Sequence, residues 1–253
     1  MQKAHIEQVL ADKRAEVAKL NASLIRNVRP STRSLGYCIG TGCQTLALWA
    51  HVARRDPHEG VVRADLDLVS TATRLQELGL AALVISTESR HWGGSRDDLV
   101  ALDRSTQVPL VRHDYIVEEL QLYESRRAGA DAVVLHPGLV APDVLRSFAR
   151  VLASMHMVAV ALVHDRTELE RALEVEAPVV AISNRDPQTG AVDLGVTLAL
   201  APLVPKSRSI VSCLGIRGHQ DIARLRGVVD AVCLGAELLR AADPHDFLRQ
   251  LAG

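Results

Sequence analysis

The sequence predicts an α/β chain folded as a (β/α)8 TIM barrel with an extra N-terminal helix, and three observations carry that expectation. Apolar runs of strand length alternate with segments of helical periodicity along almost the whole chain. The 253 residues match the roughly 250 that such a barrel typically needs. Hydrophobic residues make up 48% but aromatics only 3%, so the core must be built from the small branched side chains that fill barrel strands.

Residues 3–25 carry Ile6, Val9, Leu10, Val17, Leu20 and Leu24 at helical spacing between charged positions, which predicts an amphipathic helix. Residues 29–44 are rich in Pro, Ser and Gly and read as a mobile linker, so 1–45 is helix plus linker and 46–253 the barrel. The first strand is expected at 46–52. Further apolar runs fall at 81–86, 108–111, 132–135, 158–163, 179–182, 209–212 and 231–234. Helical patterns lie between them at 68–78, 96–104, 117–128, 142–155, 167–174, 194–203 and 221–226, and 244–251 closes the chain. Eight strands each followed by a helix, joined by right-handed crossovers, make a barrel. A doubly wound open sheet is the competing architecture, but no Gly-x-Gly-x-x-Gly follows the first strand to support a dinucleotide site.

A net charge of -1 provides no field for nucleic acid or an anionic membrane. No apolar run approaches the roughly 18 residues of a membrane span, and no signal peptide is evident. Cys38, Cys43, Cys213 and Cys233 contain no CxxC pair, which points to reduced thiols and a cytoplasmic setting. Cys38 and Cys43 have two readings, a zinc half-site or positions in a flexible Gly-rich loop.

Residues 50–63 (Ala-His-Val-Ala-Arg-Arg-Asp-Pro-His-Glu-Gly-Val-Val-Arg) are a strand end opening into a loop punctuated by Pro57 and Gly60. In a parallel barrel that is where chemistry sits. The stretch resembles the first strand and loop of indole-3-glycerol-phosphate synthases, usually Glu-x-Lys-x-x-Ser-Pro-Ser-x-Gly. The resemblance extends over nearly the whole chain. It is carried by Ala-Asp-Lys-Arg-Ala-Glu-Val at 11–17, Gly-Gly-Ser-x-x-Asp-Leu at 93–99 and Pro-Leu-Val-Arg-His-Asp-Tyr-Ile at 109–116. Gly-Ala-Asp-Ala at 129–132, Asn184-Arg185-Asp186, Val192-Asp193-Leu194 and Leu234-Gly235 leading into 238–240 add to it.

The family's reaction closes an indole ring on an anilino-deoxyribulose phosphate, losing carbon dioxide and water. It needs an acid, a base and cationic groups near a carboxylate. Carried over position by position, the family's first glutamate falls on His51, its lysine on Ala53 and its two serines on Asp56 and His58. The strand-three lysine falls on His113 and the following phenylalanine on Tyr115. The strand-five glutamate falls on Leu162, the strand-six asparagine on Ser183, and Arg185 is retained. The Glu-Ser-Gly of strand seven reads Cys213-Leu214-Gly215. Each lost acid or base typically costs about 10² to 10⁴ in rate, so the standard ring closure is not expected to survive.

Phosphate sites of such barrels use backbone N–H groups near strands seven and eight, which places Gly215, Gly235 and Ala236 as candidates; the alternative is that these glycines only make tight turns. His51, His113 and His136 stand at the ends of strands one, three and four and point into the mouth by alternation. His51, His113, Asp56 and Ser183 are the candidate catalytic residues, and Arg185, Trp92, Tyr115 and His136 the candidate binding residues. His164 reads as structural, and Glu88 as a solvated partner for an arginine. Cys213 is a nucleophile or a small buried thiol, and Arg185 an anion anchor or a salt bridge to Asp186 or Asp193.

The expected function is that of a repurposed synthase-like barrel. It would act as a lyase or cyclase by acid–base chemistry on a small aromatic or carboxylated substrate, with or without a phosphate group. No cofactor and no metal are expected, and a homo-oligomer remains open. The competing readings are a non-catalytic binding protein, and a metal-dependent enzyme using the three histidines.

Overall fold

The computed structural model describes residues 3–39, 46–175 and 177–252, the side chains of 3–6, 37, 38 and 252 excepted. The Cys38/Cys43 half-site therefore falls on side chains outside the described residues. Eight parallel strands close into a barrel in sequence order: β1 (Ala47–Val52), β2 (Ala82–Ser86), β3 (Leu110–His113), β4 (Ala132–Leu135), β5 (Val158–Val163), β6 (Val179–Ser183), β7 (Ser209–Cys213) and β8 (Ala231–Leu234), which pairs back to β1. The register aligns His51 with Val84 across β1 and β2, and Ser86 with His113 across β2 and β3. Alternate residues of every strand face inward. Trp49, Val84, Val111, Val134, Val160 and Ala181 form one interior cluster, while their neighbours pack outward against the helices.

The helices in chain order are α1 (Lys3–Val17), α2 (Leu35–Ile39), α3 (Leu68–Glu77), α4 (Arg96–Ser105), α5 (Leu120–Arg127), α6 (Pro142–Ser154), α7 (Arg166–Glu174), α8 (Gly195–Leu200), α9 (His219–Leu225), α10 (Ala236–Arg240) and α11 (Pro244–Ala252). Their starts follow side-chain chemistry. Asp67 and Asp165 accept the N–H of Ser70 and Glu168 at the heads of α3 and α7. Ser95 and Asp98 make a reciprocal capping box at the head of α4. Apolar faces finish the packing: Leu145, Phe148 and Leu152 of α6 are buried, each worth about 1.5–3 kcal/mol.

Three expectations need correction. The first helix ends at Val17 rather than running to residue 25. Asn21 takes the N–H of Ser23 on its side chain and starts a separate 3₁₀ turn, Ala22–Ile25. The segment expected to be a mobile linker contains α2, whose Leu35 and Ile39 are buried in the barrel's interior cluster. Two apolar residues four apart outweigh the Pro/Ser/Gly composition around them. The loop after β1 is not open either, because Arg55–Asp56 and Gly60–Val61 pair as a small antiparallel hairpin.

Lys13 binds α1 to the barrel. Its ammonium is buried, 2.9 Å from Asp114 and 2.9 Å from Glu16. Burial pulls the Lys13 pKa down, but the two carboxylates outweigh it and hold it above the ordinary value. Asp114 is also held by Arg112 and Thr87. Among the described residues, no helix is long and apolar enough to cross a membrane.

Candidate active site

A cavity of about 210 Å³ opens at the C-terminal end of the barrel strands. Its floor and walls are the inward residues Trp49, Val84, Val111, Val134, Val160, Leu162 and Ala181, with Cys213 and Cys233 on adjacent registered strands. Val9 and Leu10 of α1 roof it. His51, His113 and His136 line it together with Trp92, Tyr115, Asp56, Ser183 and Arg185, so most of the side chains picked from the sequence do meet here.

The histidines form a chain of rings rather than a closed plug. His51 and His113 lie 5.0 Å apart edge to face, and His113 and His136 5.8 Å apart. Trp92 packs on His51 at 4.9 Å and on His113 at 4.8 Å, and Tyr115 on His136 at 5.5 Å. Burial lowers the His51 pKa to about 4. Burial and the neighbouring His51 lower His113 to about 3, and burial and His113 lower His136 to about 3. At neutral pH all three are uncharged imidazoles, each with one N–H and one lone pair. Tyr115 is pushed up to about 12, by burial and then by Glu88, so it stays a neutral phenol.

Sequence reasoning passed over Ser86. Its hydroxyl lies 2.7 Å from His51 Nε2 and 3.0 Å from His113 Nδ1, bridging the two rings. As the polar last residue of an apolar run, it gave no signal beyond its inward parity with Val84. Trp49 was passed over too; its indole Nε1 is buried at the cavity wall without a partner, as is His136 Nε2. Such orphaned groups cost free energy until a guest bonds to them.

Other predicted residues are tied elsewhere. Asp56 accepts the N–H groups of His58 and Glu59, which shapes the hairpin, and stands 3.6 Å from Arg185. The Ser183 hydroxyl bonds to the backbone of Arg185 at its own strand end. Arg185 pairs with Glu59 at 2.5 Å rather than with Asp186 or Asp193, and Glu59 also takes Arg240 at 2.5 Å. Burial alone would raise the Glu59 pKa; the two guanidinium groups hold it below its ordinary value. Glu88 is not a solvated partner of an arginine. It is buried and accepts the N–H groups of Arg90, His91 and Trp92, which holds the loop that carries Trp92. His164 bonds to Glu168 at 2.9 Å and also lines the cavity.

The phosphate-cradle candidates Gly215, Gly235 and Ala236 do not line this cavity. Gly235 and Ala236 line an adjoining hollow of about 10 Å³, which shares His51, Asp56, Trp92, Arg185 and Leu214 with the cavity. The Leu214 side chain stands 3.2 Å from where a Gly235 Cβ would be, and Val192 2.7 Å from the same point on Gly215. Gly215, at φ 80°, makes a tight turn. The ligand atoms of the three histidines do not converge as a metal site requires. Among the described residues, the one group of three whose ligand atoms lie within 4.8 Å of each other is Asp243, His245 and Asp246, exposed near the C-terminus.

The Gly-Gly-Ser-x-x-Asp-Leu motif is explained by packing. A Cβ on Gly94 would stand 1.9 Å from the Ser86 carbonyl oxygen, Ser95 and Asp98 cap α4, and Leu99 is fully buried. Arg54 closes the same corner through Asp98 at 2.8 and 3.0 Å.

Comparison with known proteins fits this architecture. The family model described as "Indole-3-glycerol phosphate synthase" matches residues 2–251. The indole-3-glycerol phosphate synthase of Geobacillus thermodenitrificans is 33% identical over 250 residues, covering 98% of this chain and 96% of its own. That of Dehalococcoides mccartyi (strain CBDB1) is 37% identical over 208 residues, covering 81% and 80%. Among solved structures, the tryptophan synthase subunit alpha from Legionella pneumophila superposes with a TM-score of 0.63 at 16% identity, covering 88% of this chain and 97% of its own, a likeness of fold alone. By the extent of the family match and the full-length relatives, this chain belongs to the indole-3-glycerol phosphate synthase family.

Proposed function

We propose that this barrel is a diverged member of its family that has exchanged the standard ring closure for acid–base chemistry on a small, uncharged aromatic substrate. The observation that carries the reading is the electrostatics of the cavity. Among the described residues lining it, Arg185 is the one lysine or arginine, and Glu59 and Asp56 already occupy it. The three imidazoles are neutral, and Leu162 is an apolar wall where the family resemblance implies a glutamate. A carboxylated and phosphorylated substrate would bury its charges here without cations to meet them, a large cost. A neutral ring fits: a cavity of ~150 Å³ with apolar walls takes benzene, and this one is larger, with Trp49 Nε1 as a donor and His136 Nε2 as a partner of either sense.

Two neutral imidazoles lining the cavity offer a lone pair to accept a proton and an N–H to donate one, the two groups that a dehydration or ring closure uses. With free Cys213 and Cys233, the protein fits a reducing, cytoplasmic setting. The second reading, the family's own ring closure, is favoured by the match along the whole chain and by the names of the relatives.

One experiment separates them. The purified protein is given the anilino-deoxyribulose phosphate, with the Geobacillus relative as positive control, and indole fluorescence is followed. No turnover above background is expected; turnover on the order of 1 per second would establish the second reading. Titration of tryptophan fluorescence with indole and with anthranilate completes the test. Indole is expected to bind at least ten times tighter, and tighter binding of the carboxylate would refute the uncharged-substrate reading.

A further inference from the structure

The contact between His51, Ser86 and His113 has a consequence beyond hydrogen bonding. Ser86 is 2% exposed and is not among the residues lining the cavity. Both rings beside it do line the cavity. Ser86 has one hydroxyl proton and lies between His51 Nε2 and His113 Nδ1, so it donates to one ring and accepts from the other. That leaves His51 Nδ1 and His113 Nε2 as the nitrogens not engaged by Ser86.

We infer that His51, Ser86 and His113 form a tautomeric proton relay, with Ser86 as the positioning residue that couples two catalytic imidazoles. The inference rests on the proposed acid–base reading of the cavity. In one state His51 Nε2–H donates to Ser86, and Ser86 donates to His113 Nδ1; His51 Nδ1 is then a bare base and His113 Nε2–H an acid. In the other state both hydrogen bonds are reversed: His113 Nδ1–H donates to Ser86, Ser86 donates to His51 Nε2, and the two roles exchange. A substrate C–H gives its proton to His51 Nδ1, and the C–H electron pair becomes the new π bond. The Nε2 proton of His51 passes to Ser86, the Ser86 proton passes to His113 Nδ1, and the Nε2 proton of His113 goes to the departing oxygen, which leaves as water with the electrons of its broken C–O bond. No imidazolium forms at any stage, which is what an apolar cavity demands of its acids and bases. The reverse state returns to the first by proton exchange with solvent once the product has left.

The coupling has a signature that a purely structural serine would not give. The two rings must carry their protons on the same kind of nitrogen, both on Nε2 or both on Nδ1, because one hydroxyl joins Nε2 of one to Nδ1 of the other. Proton-coupled ¹⁵N spectra of the ring nitrogens, recorded on histidine-labelled full-length protein and assigned with His51→Gln and His113→Gln, read this without a substrate. Matched tautomers are expected in the parent protein, with the match lost in Ser86→Ala. Opposed tautomers in the parent protein, or a match that persists in Ser86→Ala, would overturn the relay; the parent spectrum decides even if the variant does not fold. Failure of the acid–base reading would show instead as indole failing to bind, with the ring spectra unaffected.

Discussion

Lowering the pH from 7 to 5 is expected to cost this protein about 2 kcal/mol through His113 alone. Folded His113 is 8% exposed and its pKa is lowered to about 3, first by burial and then by His51. The unfolded chain presents an ordinary histidine that takes up a proton below about pH 6.5. The contribution is therefore complete above that pH and is lost as the pH falls towards 3. Between pH 7 and 5 the folded ring stays neutral, so the loss is set by the unfolded pKa and does not depend on how far below 5 the folded value lies. The perturbation is His113→Gln, which keeps a polar group beside Ser86 but cannot titrate. Urea unfolding of parent and variant at both pH values isolates the effect, since the other titrating groups cancel in the comparison. The parent is expected to lose about 2 kcal/mol more than the variant. Equal losses would mean that His113 is charged or solvated in the folded protein, and the neutral-imidazole argument would fall with it.

Three further outcomes are expected. Gly94→Ala forces a methyl to 1.9 Å from the Ser86 carbonyl and is expected to cost about 3 kcal/mol in a thermal melt; an unchanged melting temperature would contradict the packing described. Lys13→Met leaves Asp114 with Arg112 as its remaining cation and is expected to cost about 3 kcal/mol and to speed amide exchange in α1; unaltered exchange would show that the ion pair does not hold the helix. Glu59→Gln is expected to loosen Arg185 and Arg240 and to permit millimolar binding of inorganic phosphate by calorimetry; tighter binding by the parent than by the variant would reverse the argument.

The strands were legible because barrel strands read as uninterrupted apolar runs, and three of them, Ala132–Leu135, Val158–Val163 and Ala231–Leu234, match the sequence expectation to the residue. The convergence of His51, His113 and His136 was legible for the same reason, since strand parity fixes which side a residue faces. What escaped depends on partners far along the chain. Nothing in the sequence singles out Glu59 until Arg185 and Arg240, more than a hundred residues on, are brought beside it. Ser86 reads as the end of a strand until two rings arrive from β1 and β3. Leu35 and Ile39 lie in a composition typical of loops, and only the barrel interior makes them a helix worth forming.

Glu59 acts as a tethered competitor. Its carboxylate is carried on the hairpin that its own barrel holds in place, so it stands before Arg185 and Arg240 at an effective concentration far above the millimolar range typical of short flexible tethers. Free phosphate esters, abundant in any metabolizing cell, must displace it from both guanidinium groups at once to gain a foothold. An uncharged ring faces no such rival. On the function proposed above, this occupant, supplied by the chain itself, is what would turn anionic metabolites away and leave the cavity to neutral guests.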